Sequence, residues 1–379
     1  MSAVFAAPSD DTAVVLLGTG VVGGALLQLL TTPAAANLYL VGAANSRRQI
    51  ANARGLVPAQ VRAALAASAL TRDDASLLAA LESSGASRRV VVDATASAVE
   101  AQRHAAWLAA GYHVVSANKA ATGEALTAWS ELKRASARGG VEYGDAATVG
   151  AGLPVLSTLR RLRECGDRLL ALDGVFSGSL SWLFNHFDGS RPFSALLREA
   201  RTFGYTEPDP RVDLGGADVA RKLLILARTA GHAIDASDVE VDGLVPASLR
   251  DVEVGEFLIR AGELDAPLER RRAQAAQNGN VLRFLARLDE HGRARVGLTE
   301  VAATHPAARL AGTDNLFALT TQRYHAQPLV IQGPGAGPEV TAQALLGDVL
   351  ALRTRPVSAR IKRTRVHSSG PNANRAAGQ

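Results

Sequence analysis

At 379 residues, with 47% hydrophobic and 20% charged residues, the chain has an ordinary globular composition and is long enough for two domains. Its single cysteine, Cys165, excludes an internal disulfide and fits a reducing compartment, so we expect a cytoplasmic protein. The formal net charge of +5 is carried entirely by the last twenty residues, so the rest of the chain sums to zero and nucleic-acid binding is not expected.

One uncharged run and the C-terminal end of the chain need separate interpretation. Residues 13–30 carry no charge and reach the lower length for a membrane helix, but Asp10 and Asp11 precede them where a signal peptide would carry bases. Four glycines interrupt this run, so it predicts a short strand followed by a helix and no membrane span. Residues 355–379 are polar and basic and are predicted to form a disordered tail.

The first predicted element is a buried strand at residues 14–17, which leads into a glycine-rich turn and a helix from residue 22. The pattern G-x-G-x-x-G allows a tight turn and lets a pyrophosphate approach the N–H groups at the helix N-terminus. A strand before it and a helix after it favour dinucleotide binding over a turn without a ligand. The predicted cofactor-binding residues of this turn are Gly18, Thr19, Gly20, Val21, Val22 and Gly23.

The second predicted strand, at residues 38–43, ends in a basic loop. A site for NAD often carries an acid here that binds the ribose 2′-hydroxyl, whereas this chain has Asn45, Arg47 and Arg48. Guanidinium groups can pair with a 2′-phosphate through two hydrogen bonds. The loop therefore favours NADP(H), with NAD(H) and a basic loop that binds nothing as the alternatives.

Residues 51–86 are alanine-rich and predicted to be mostly helical, and two more buried strands follow at residues 90–92 and 113–116. Ligands bind at the carboxyl ends of such strands. We therefore expect Thr95 and Ser97, after the first of these strands, to contact the cofactor. Lys119, after the second, is expected to point into the crevice, unless it only lies along the sheet edge.

The second half of the chain predicts a different kind of sheet. A strand at residues 172–176 runs into a serine-rich turn, where Ser179 can offer its hydroxyl to a carboxylate or the turn can simply begin a helix. Residues 280–288 and 293–301 alternate like two antiparallel strands. A last strand at residues 329–332 leads through Gly337, an expected cofactor contact, to a helix at about 340–352.

The most informative stretch, residues 204–222, reads GYTEPDPRVDLGGADVARK. Two prolines keep its first half extended, and Asp213 is predicted to cap the helix that follows. Asp218 and Lys222 are four residues apart and project from one face of that helix. A solvated ion pair is the plain alternative, but an acidic loop beside a single lysine favours a site that binds an ammonium group and moves a proton.

This stretch, extended to GYTEPDPRVDLGGADVARKLLILAR, closely resembles the substrate-binding segment of homoserine dehydrogenases, and the resemblance covers roughly residues 14–352. It implies that Lys222 is the acid/base, with Lys119 near the same oxygen and Asp218 orienting the pair. It also implies that Glu207 and Asp213 hold the substrate ammonium. The residues implied to contact the substrate are Glu207, Asp213, Ser179 and Tyr205.

The segment EYGDAATVGAGLPVL at residues 142–156 resembles the family's Glu-Ala-x-Val-Gly-Ala-Gly-Leu-Pro. The resemblance implies a monovalent cation, Na+ or K+, bound mainly by backbone carbonyls. Ala146 stands where the family has Glu, with Asp145 one place earlier. The carbonyls implied for the cation belong to Ala146, Val149, Ala151 and Leu153.

The predicted fold is α/β, with a Rossmann-type doubly wound parallel sheet at residues 12–148, completed by residues 329–354. An α+β domain for substrate binding and dimerisation is expected at residues 149–328. The resemblance implies an NAD(P)-dependent homodimer that interconverts L-homoserine and L-aspartate 4-semialdehyde in threonine, methionine and isoleucine biosynthesis. Aspartate kinase and ACT domains are not expected, and therefore neither is regulation by threonine.

Two other readings stay open from the sequence. One is a different two-domain Rossmann dehydrogenase that acts on a related amino acid or semialdehyde. The other is a non-catalytic binding or regulatory protein, against which the joint presence of Lys119, Asp218 and Lys222 argues.

Overall fold

The structure is a computed structural model that describes residues 11–352, so the predicted basic tail at residues 355–379 lies outside it. Two six-stranded sheets organise this part of the chain. The elements of the first half are β1 Thr12–Leu17, α1 Val21–Leu29, β2 Leu38–Ala44, β3 Gln49–Ala51, α2 Val61–Ala67, α3 Asp74–Ser83, β4 Arg88–Asp93, α4 Ala98–Ala109, β5 His113–Ser116, α5 Leu126–Gly139 and β6 Tyr143–Gly144.

The first sheet has the strand order β3-β2-β1-β4-β5-β6 and is parallel except for the β2–β3 pair. Every residue of β1 is buried, because helices cover both faces of the sheet at its centre. The uncharged run that includes β1 therefore forms a central strand and the start of α1. Among the described residues, no helix combines the length and apolar character needed to cross a membrane.

The second half is built on a mainly antiparallel sheet. Its elements are α6 Val155–Glu164, β7 Leu169–Val175, α7 Gly178–His186, α8 Phe193–Thr202, α9 Arg211–Leu214, α10 Ala217–Ala230, β8 Val239–Asp242, α11 Val254–Arg260, α12 Asp265–Gln277, β9 Asn280–Asp289, β10 Ala294–Ala302, β11 Asn315–Thr321, β12 Leu329–Gly333 and α13 Pro338–Ala351.

The second sheet has the order β12-β11-β7-β9-β10-β8, and only the β8–β10 pair is parallel. The predicted hairpin is confirmed as β9 and β10, in which residues 280–288 pair with residues 294–302. Phe176, Leu183 and Phe284 belong to the core between this sheet and its helices, as do Leu223 and Leu226 of α10. The apolar stripe of α10 thus fixes which of its faces is left for the crevice.

Two predictions about the fold are corrected. The strand at residues 329–332 does not complete the first sheet, because β12 pairs with β11 and ends the second sheet. The helix after it does join the first half: Leu345 and Leu346 of α13 pack in the core beside α1. Residues 51–86 are only partly helical, since α2 and α3 are separated by an extended segment that pairs with Arg48 at Thr71.

Candidate active site

A cavity of about 820 Å3 opens between the two halves of the molecule. The start of α1, the loops after β4 and β5, the acidic loop before α10, and the start of α13 line it. Another cavity, of about 480 Å3, lies between α5, the segment around β6 and the end of α13, away from the glycine-rich turn and from the predicted catalytic groups. The candidate site is therefore the first cavity, which is called the crevice below.

The glycine-rich turn lies at the crevice with its backbone tightly packed. Gly18 has φ +87°, a conformation that L side chains rarely adopt. A Cβ on Gly23 would lie 1.9 Å from the carbonyl oxygen of Gly18, whereas one on Gly20 would meet nothing within 4 Å. The helix that follows has no side-chain cap, and Val21 and Val22 line the crevice. This geometry suits the close approach of a phosphate group to the helix N-terminus.

The basic loop after β2 lies outside the crevice lining. The Asn45 side-chain oxygen accepts the N–H groups of Arg47 and Arg48, both at 2.8 Å, and so forms the turn. The guanidinium of Arg48 donates to the Ser68 carbonyl. The side chain of Arg47 is exposed and makes no hydrogen bond or ion pair within residues 11–352. The two arginines are therefore not equivalent, and Arg47 alone has its guanidinium uncommitted.

Hydrogen bonds of Asn118 hold the loops after β4 and β5 together beneath the crevice. The buried Asn118 donates to the Asp93 carboxylate at 3.1 Å and to the Ser97 carbonyl at 2.8 Å. Thr95 lines the crevice, whereas the Ser97 hydroxyl caps α4 and does not. On the opposite rim, Gly337 lines the crevice at the start of α13.

The structure brings the three predicted catalytic residues together. The Lys222 Nζ lies 2.7 Å from one Asp218 oxygen, and the Lys119 Nζ lies 3.5 Å from the other. The Lys222 ammonium also donates to the Phe176 carbonyl at 2.7 Å. Asp218 therefore bridges a lysine from the parallel-sheet half and a lysine from the second half.

The electrostatics of this trio suit proton transfer. Burial lowers the pKa of Lys222, the Lys119 charge lowers it further, and Asp218 only partly opposes the change. Burial alone would raise the pKa of Asp218, but the two ammonium groups outweigh it and lower that pKa. The result is a carboxylate that stays ionised beside a lysine that gives up its proton more readily than a solvated one.

The acidic loop presents a preformed carboxylate. One Asp213 oxygen accepts from the Ser179 hydroxyl at 2.7 Å, and the other accepts the N–H of Glu207 at 2.9 Å. The prediction that Asp213 caps the long helix is wrong. It lies within the short α9, and α10 begins after Gly216, which has φ +77°.

The four predicted substrate contacts do not all face the crevice. Glu207 and Asp213 line it, whereas Ser179 is buried behind Asp213. The Tyr205 ring packs against Trp182 with centroids 5.6 Å apart, so this side chain lies beside the crevice. The contacts of Ser179 and Tyr205 with the substrate stay predictions.

Ser177, the first serine of the turn after β7, lines the crevice but is not among the four predicted substrate contacts. Its hydroxyl lies 2.8 Å from the Ser179 hydroxyl and also caps α7 by accepting the N–H of Leu180. Thr341 and Arg221 line the crevice as well. A serine at the end of a strand was a usable signal, but nothing in the local sequence distinguishes the other two from surface residues.

The segment proposed to bind a cation crosses between the two halves. Ala146–Thr148 forms a short 3-10 helix, and Ala151 is the one non-glycine residue with positive φ, +52°, in the described part of the chain. The Leu153 carbonyl accepts the N–H of Val155 at 2.8 Å. Asp145, which stands next to the family's glutamate position, is buried and forms an ion pair with Arg160. In residues 11–352, no group of three or more acidic, histidine or cysteine side chains could hold a metal.

A glycine-rich turn at the end of a parallel strand therefore faces an aspartate and two lysines across the crevice. Two family models match the chain: "Homoserine dehydrogenase, NAD binding domain" over residues 18–143 and "Homoserine dehydrogenase" over residues 154–350. The chain belongs to the homoserine dehydrogenase family.

Individual relatives agree with this assignment. The chain is 40% identical over 350 residues to a bifunctional aspartokinase/homoserine dehydrogenase 2 of Zea mays, covering 90% of this chain but only 38% of that protein. It is 38% identical over 357 residues to a homoserine dehydrogenase of Saccharomyces cerevisiae, covering 90% of this chain and 98% of that one. The crystal structure of a Candida auris protein of unknown function matches this chain with a TM-score of 0.85 at 32% identity, over 91% of this chain and 99% of that one.

Proposed function

We propose that this chain interconverts L-homoserine and L-aspartate 4-semialdehyde with a nicotinamide cofactor. The observation that carries the proposal is the Lys119–Asp218–Lys222 trio, which joins the two halves at the crevice opposite the glycine-rich turn. A Cβ at Gly20 would meet nothing within 4 Å, so the turn leaves open space at the glycine where a dinucleotide would approach the backbone. The nicotinamide ring, when bound, accepts the hydride from the carbon that bears the hydroxyl.

The protein's share of the reaction is to bind the amino acid and move one proton. In our mechanism Lys222, in its neutral form, removes the hydroxyl proton as the hydride leaves, and returns it in the reverse direction. Its lowered pKa increases the neutral fraction near physiological pH. Lys119 stabilises the developing negative charge on the same oxygen, and Asp218 keeps both lysine side chains oriented.

The acidic loop supplies the substrate's charge partner. Glu207 and the carboxylate of Asp213 lie on the crevice wall and suit the substrate ammonium. Ser179 acts on Asp213 through its hydrogen bond and is a positioning residue in this proposal. Tyr205 is assigned the same kind of role, because its ring supports the loop from the side of Trp182.

The test is a substrate panel with the purified chain, followed by the absorbance of the reduced nicotinamide. Homoserine should be oxidised, and aspartate 4-semialdehyde should be reduced, with far higher kcat/KM than other amino alcohols or semialdehydes. Preference for a different pair would favour another dehydrogenase of the same plan. Cofactor binding without turnover on any pair would favour a non-catalytic role.

We further propose NADP(H) as the preferred cofactor. The absence of an acid after β2 and the uncommitted guanidinium of Arg47 support this preference. Arg48 is placed second, because its guanidinium already binds the Ser68 carbonyl. The two dissociation constants, measured by quenching of protein fluorescence, test the preference directly.

A Na+ or K+ ion held by the carbonyls of residues 146–153 is also part of the proposal. The positive φ of Ala151 supports it, because such a conformation in a non-glycine residue is strained and turns the carbonyl out of regular structure. Activity in a sodium- and potassium-free buffer with a bulky organic cation, compared with the same buffer plus either salt, tests the requirement.

We propose a homodimer and a cytoplasmic location as well. The edge strand β12 supports the dimer, since it ends the second sheet with one unpaired side and exposes part of Val330. Light scattering after gel filtration measures the mass in solution. The location is tested by fractionating the source cells and probing each fraction with an antibody.

A further inference from the structure

Arg228 is a buried charge that connects the two halves of the molecule. It lies in the last turn of α10 and is 1% exposed. Its guanidinium donates to the carbonyls of Thr122 at 2.7 Å and Glu124 at 2.6 Å, and to the Ile234 carbonyl at 3.1 and 3.2 Å. Two of its three acceptors therefore belong to the parallel-sheet half.

Those two acceptors lie directly after Lys119. The short 3-10 helix Lys119–Ala121 ends at Thr122, and the segment then runs through Glu124 into α5. The same α10 that carries Arg228 also carries Asp218 and Lys222. One helix thus holds two members of the catalytic trio and, through Arg228, the segment that bears the third.

The packing around this contact is close. A Cβ on Gly123 would lie 2.4 Å from the Arg221 side chain and 2.9 Å from the Lys119 carbonyl oxygen. Asp235 makes a second link, because its carboxylate accepts the N–H of Leu126 at 3.1 Å. The segment after Lys119 therefore lies directly on α10, and its distance from the helix is fixed on both sides of Glu124.

Burying the Arg228 guanidinium costs free energy of folding, so a contribution to stability does not by itself account for this residue. No carboxylate lies within ion-pair distance of Arg228 in residues 11–352, and burial lowers its pKa, with Asp235 only opposing that effect. A buried charge is costly to desolvate, and an apolar side chain of similar volume often stabilises a protein as well or better. What an apolar residue cannot do is hold two carbonyl groups of another domain in one geometry.

We propose that Arg228 is a positioning residue that sets the distance between Lys119 and the Asp218–Lys222 pair. The inference rests on the proposed function of that trio. The distance at stake is the 3.5 Å from the Lys119 Nζ to the Asp218 carboxylate. Loss of the guanidinium lets the segment after Lys119 move away from α10, and a displacement of about 1 Å can cost about a hundredfold in rate.

The chain offers a matched control in Arg283. This arginine is also buried, at 7% exposed, and burial lowers its pKa as well. Its guanidinium also donates to carbonyls, those of Phe184, Leu282, Ala307 and Ala308, at 2.8–2.9 Å, whereas that of Arg228 in addition lies 5.8 Å from the Trp129 ring centroid. All four lie in the second half of the molecule, so Arg283 spans no junction. A comparison of the two sites separates positioning from the general cost of disturbing a buried arginine.

The experiment compares Arg228→Lys with Arg283→Lys, each measured for Tm, kcat and both KM values. We expect similar losses of Tm in the two variants. We expect kcat to fall about tenfold to a hundredfold in Arg228→Lys alone, with the KM for cofactor nearly unchanged. Equal kcat values in the two variants at equal loss of Tm would reduce Arg228 to a structural role and overturn the proposal.

A second measurement tests whether Arg228 acts through Lys119. In a Lys119→Ala background, Arg228→Lys should lower kcat hardly at all, because the group that it positions is gone. A further fall as large as in the wild-type background would contradict the proposal. If Arg228→Lys does not fold, Asp235→Ala takes its place, since it loosens the same segment. A several-fold lower kcat at little changed Tm then supports the inference, and an unchanged kcat overturns it.

These outcomes are independent of whether homoserine is the substrate. The activity of the wild-type chain on homoserine tests the proposed function. The ratio of variant to wild-type kcat, on whichever amino alcohol the wild-type chain oxidises, tests the role of Arg228.

Discussion

The two walls of the crevice achieve their fit in different ways. On the cofactor side the fit is set by backbone and missing side chains, as at Gly23, where a Cβ would lie 1.9 Å from a carbonyl oxygen. On the substrate side it is set by charges, with Asp218 2.7 Å from Lys222. Substitutions on the first wall should therefore act through sterics, on stability and cofactor affinity. Those on the second should act through charge, on kcat and on the KM for substrate.

The largest effect is expected from the lysines of the charged wall. Lys222→Ala and Lys119→Ala should each lower kcat by roughly two to four decades, the usual contribution of general acid–base groups. Lys133→Ala is a matched control, because that lysine lies over Trp129 at the other cavity and should leave kcat unchanged. Steady-state kinetics on variants shown to be folded by circular dichroism check this. Turnover near the wild-type value in both would remove the lysines from the mechanism.

The steric wall is probed by Gly23→Ala against Gly20→Ala. The first forces a Cβ into the Gly18 carbonyl and should cost about 1–3 kcal/mol or more of stability together with cofactor affinity. The second meets nothing within 4 Å, so it should leave Tm nearly unchanged and weaken only cofactor binding, where a pyrophosphate approaches. Thermal denaturation and cofactor titration give the two readouts. Equal losses of Tm would show that the contact at Gly23 does not control the turn.

Glu207→Gln tests substrate binding by the charged wall and leaves the proton-transfer groups unchanged. Removing one charge partner of the substrate ammonium should raise the KM for homoserine about tenfold, the effect of roughly 1.4 kcal/mol, and leave cofactor affinity unchanged. Kinetics with homoserine as the varied substrate measure it. An unchanged KM would place the substrate ammonium elsewhere in the crevice.

Arg47 and Arg48 form a smaller contrast within the cofactor side. Arg47→Ala should weaken NADP(H) binding several-fold and leave NAD(H) binding nearly unchanged, since an exposed ion pair contributes about 0.2–1 kcal/mol. Arg48→Ala should affect NADP(H) less, because its guanidinium binds the Ser68 carbonyl. Dissociation constants for both cofactors test the order. Equal weakening of NADP(H) and NAD(H) by Arg47→Ala would argue against a 2′-phosphate contact.

The smallest effect on catalysis is expected at His113, at the start of the strand that leads to Lys119. Burial, with Arg88 and Arg89, lowers the pKa of His113 from 6.5 to about 4, and its Nδ1 accepts the N–H of Glu142. The unfolded chain therefore binds this proton first, so stability present above pH 6.5 is lost as the pH falls toward 4. The loss is up to roughly 3 kcal/mol at about 1.4 kcal/mol per pH unit.

Denaturant unfolding at a series of pH values measures this loss. His113→Gln, which cannot take up the proton, should flatten the curve between pH 6.5 and 4 and keep kcat near the wild-type value. A curve of unchanged slope in the variant would assign the acid sensitivity to other groups.

The sequence predicted the four inner strands of the first sheet, because a buried parallel strand needs an uninterrupted apolar run, whereas the short edge strands β3 and β6 lack such a run and were not predicted. His113–Ser116 was predicted with its observed bounds. The partner of β12 was not predictable, since a short apolar strand can pair with either sheet and long-range packing decides. Asp213 was assigned as a cap because local rules do not show that the chain already turns into α9 after Pro210.

The residues of the candidate site were likewise only partly predictable from the sequence. Lys119, Asp218 and Lys222 lie at element ends where polar side chains are conspicuous, and the structure brings all three together. Arg228 has no such signal, because it follows an apolar helical run and two of its three acceptors are backbone carbonyls more than a hundred residues away. Contacts of a side chain with distant backbone leave no pattern in the sequence.

The chain passes between the two sheets twice, once from β6 to α6 and once from β12 to α13. Residues from both passages, Gly150 and Ala151 on one and Gly335 and Gly337 on the other, line the crevice. The two halves are therefore linked by two segments of chain beside the crevice, so free twisting about a single tether is excluded.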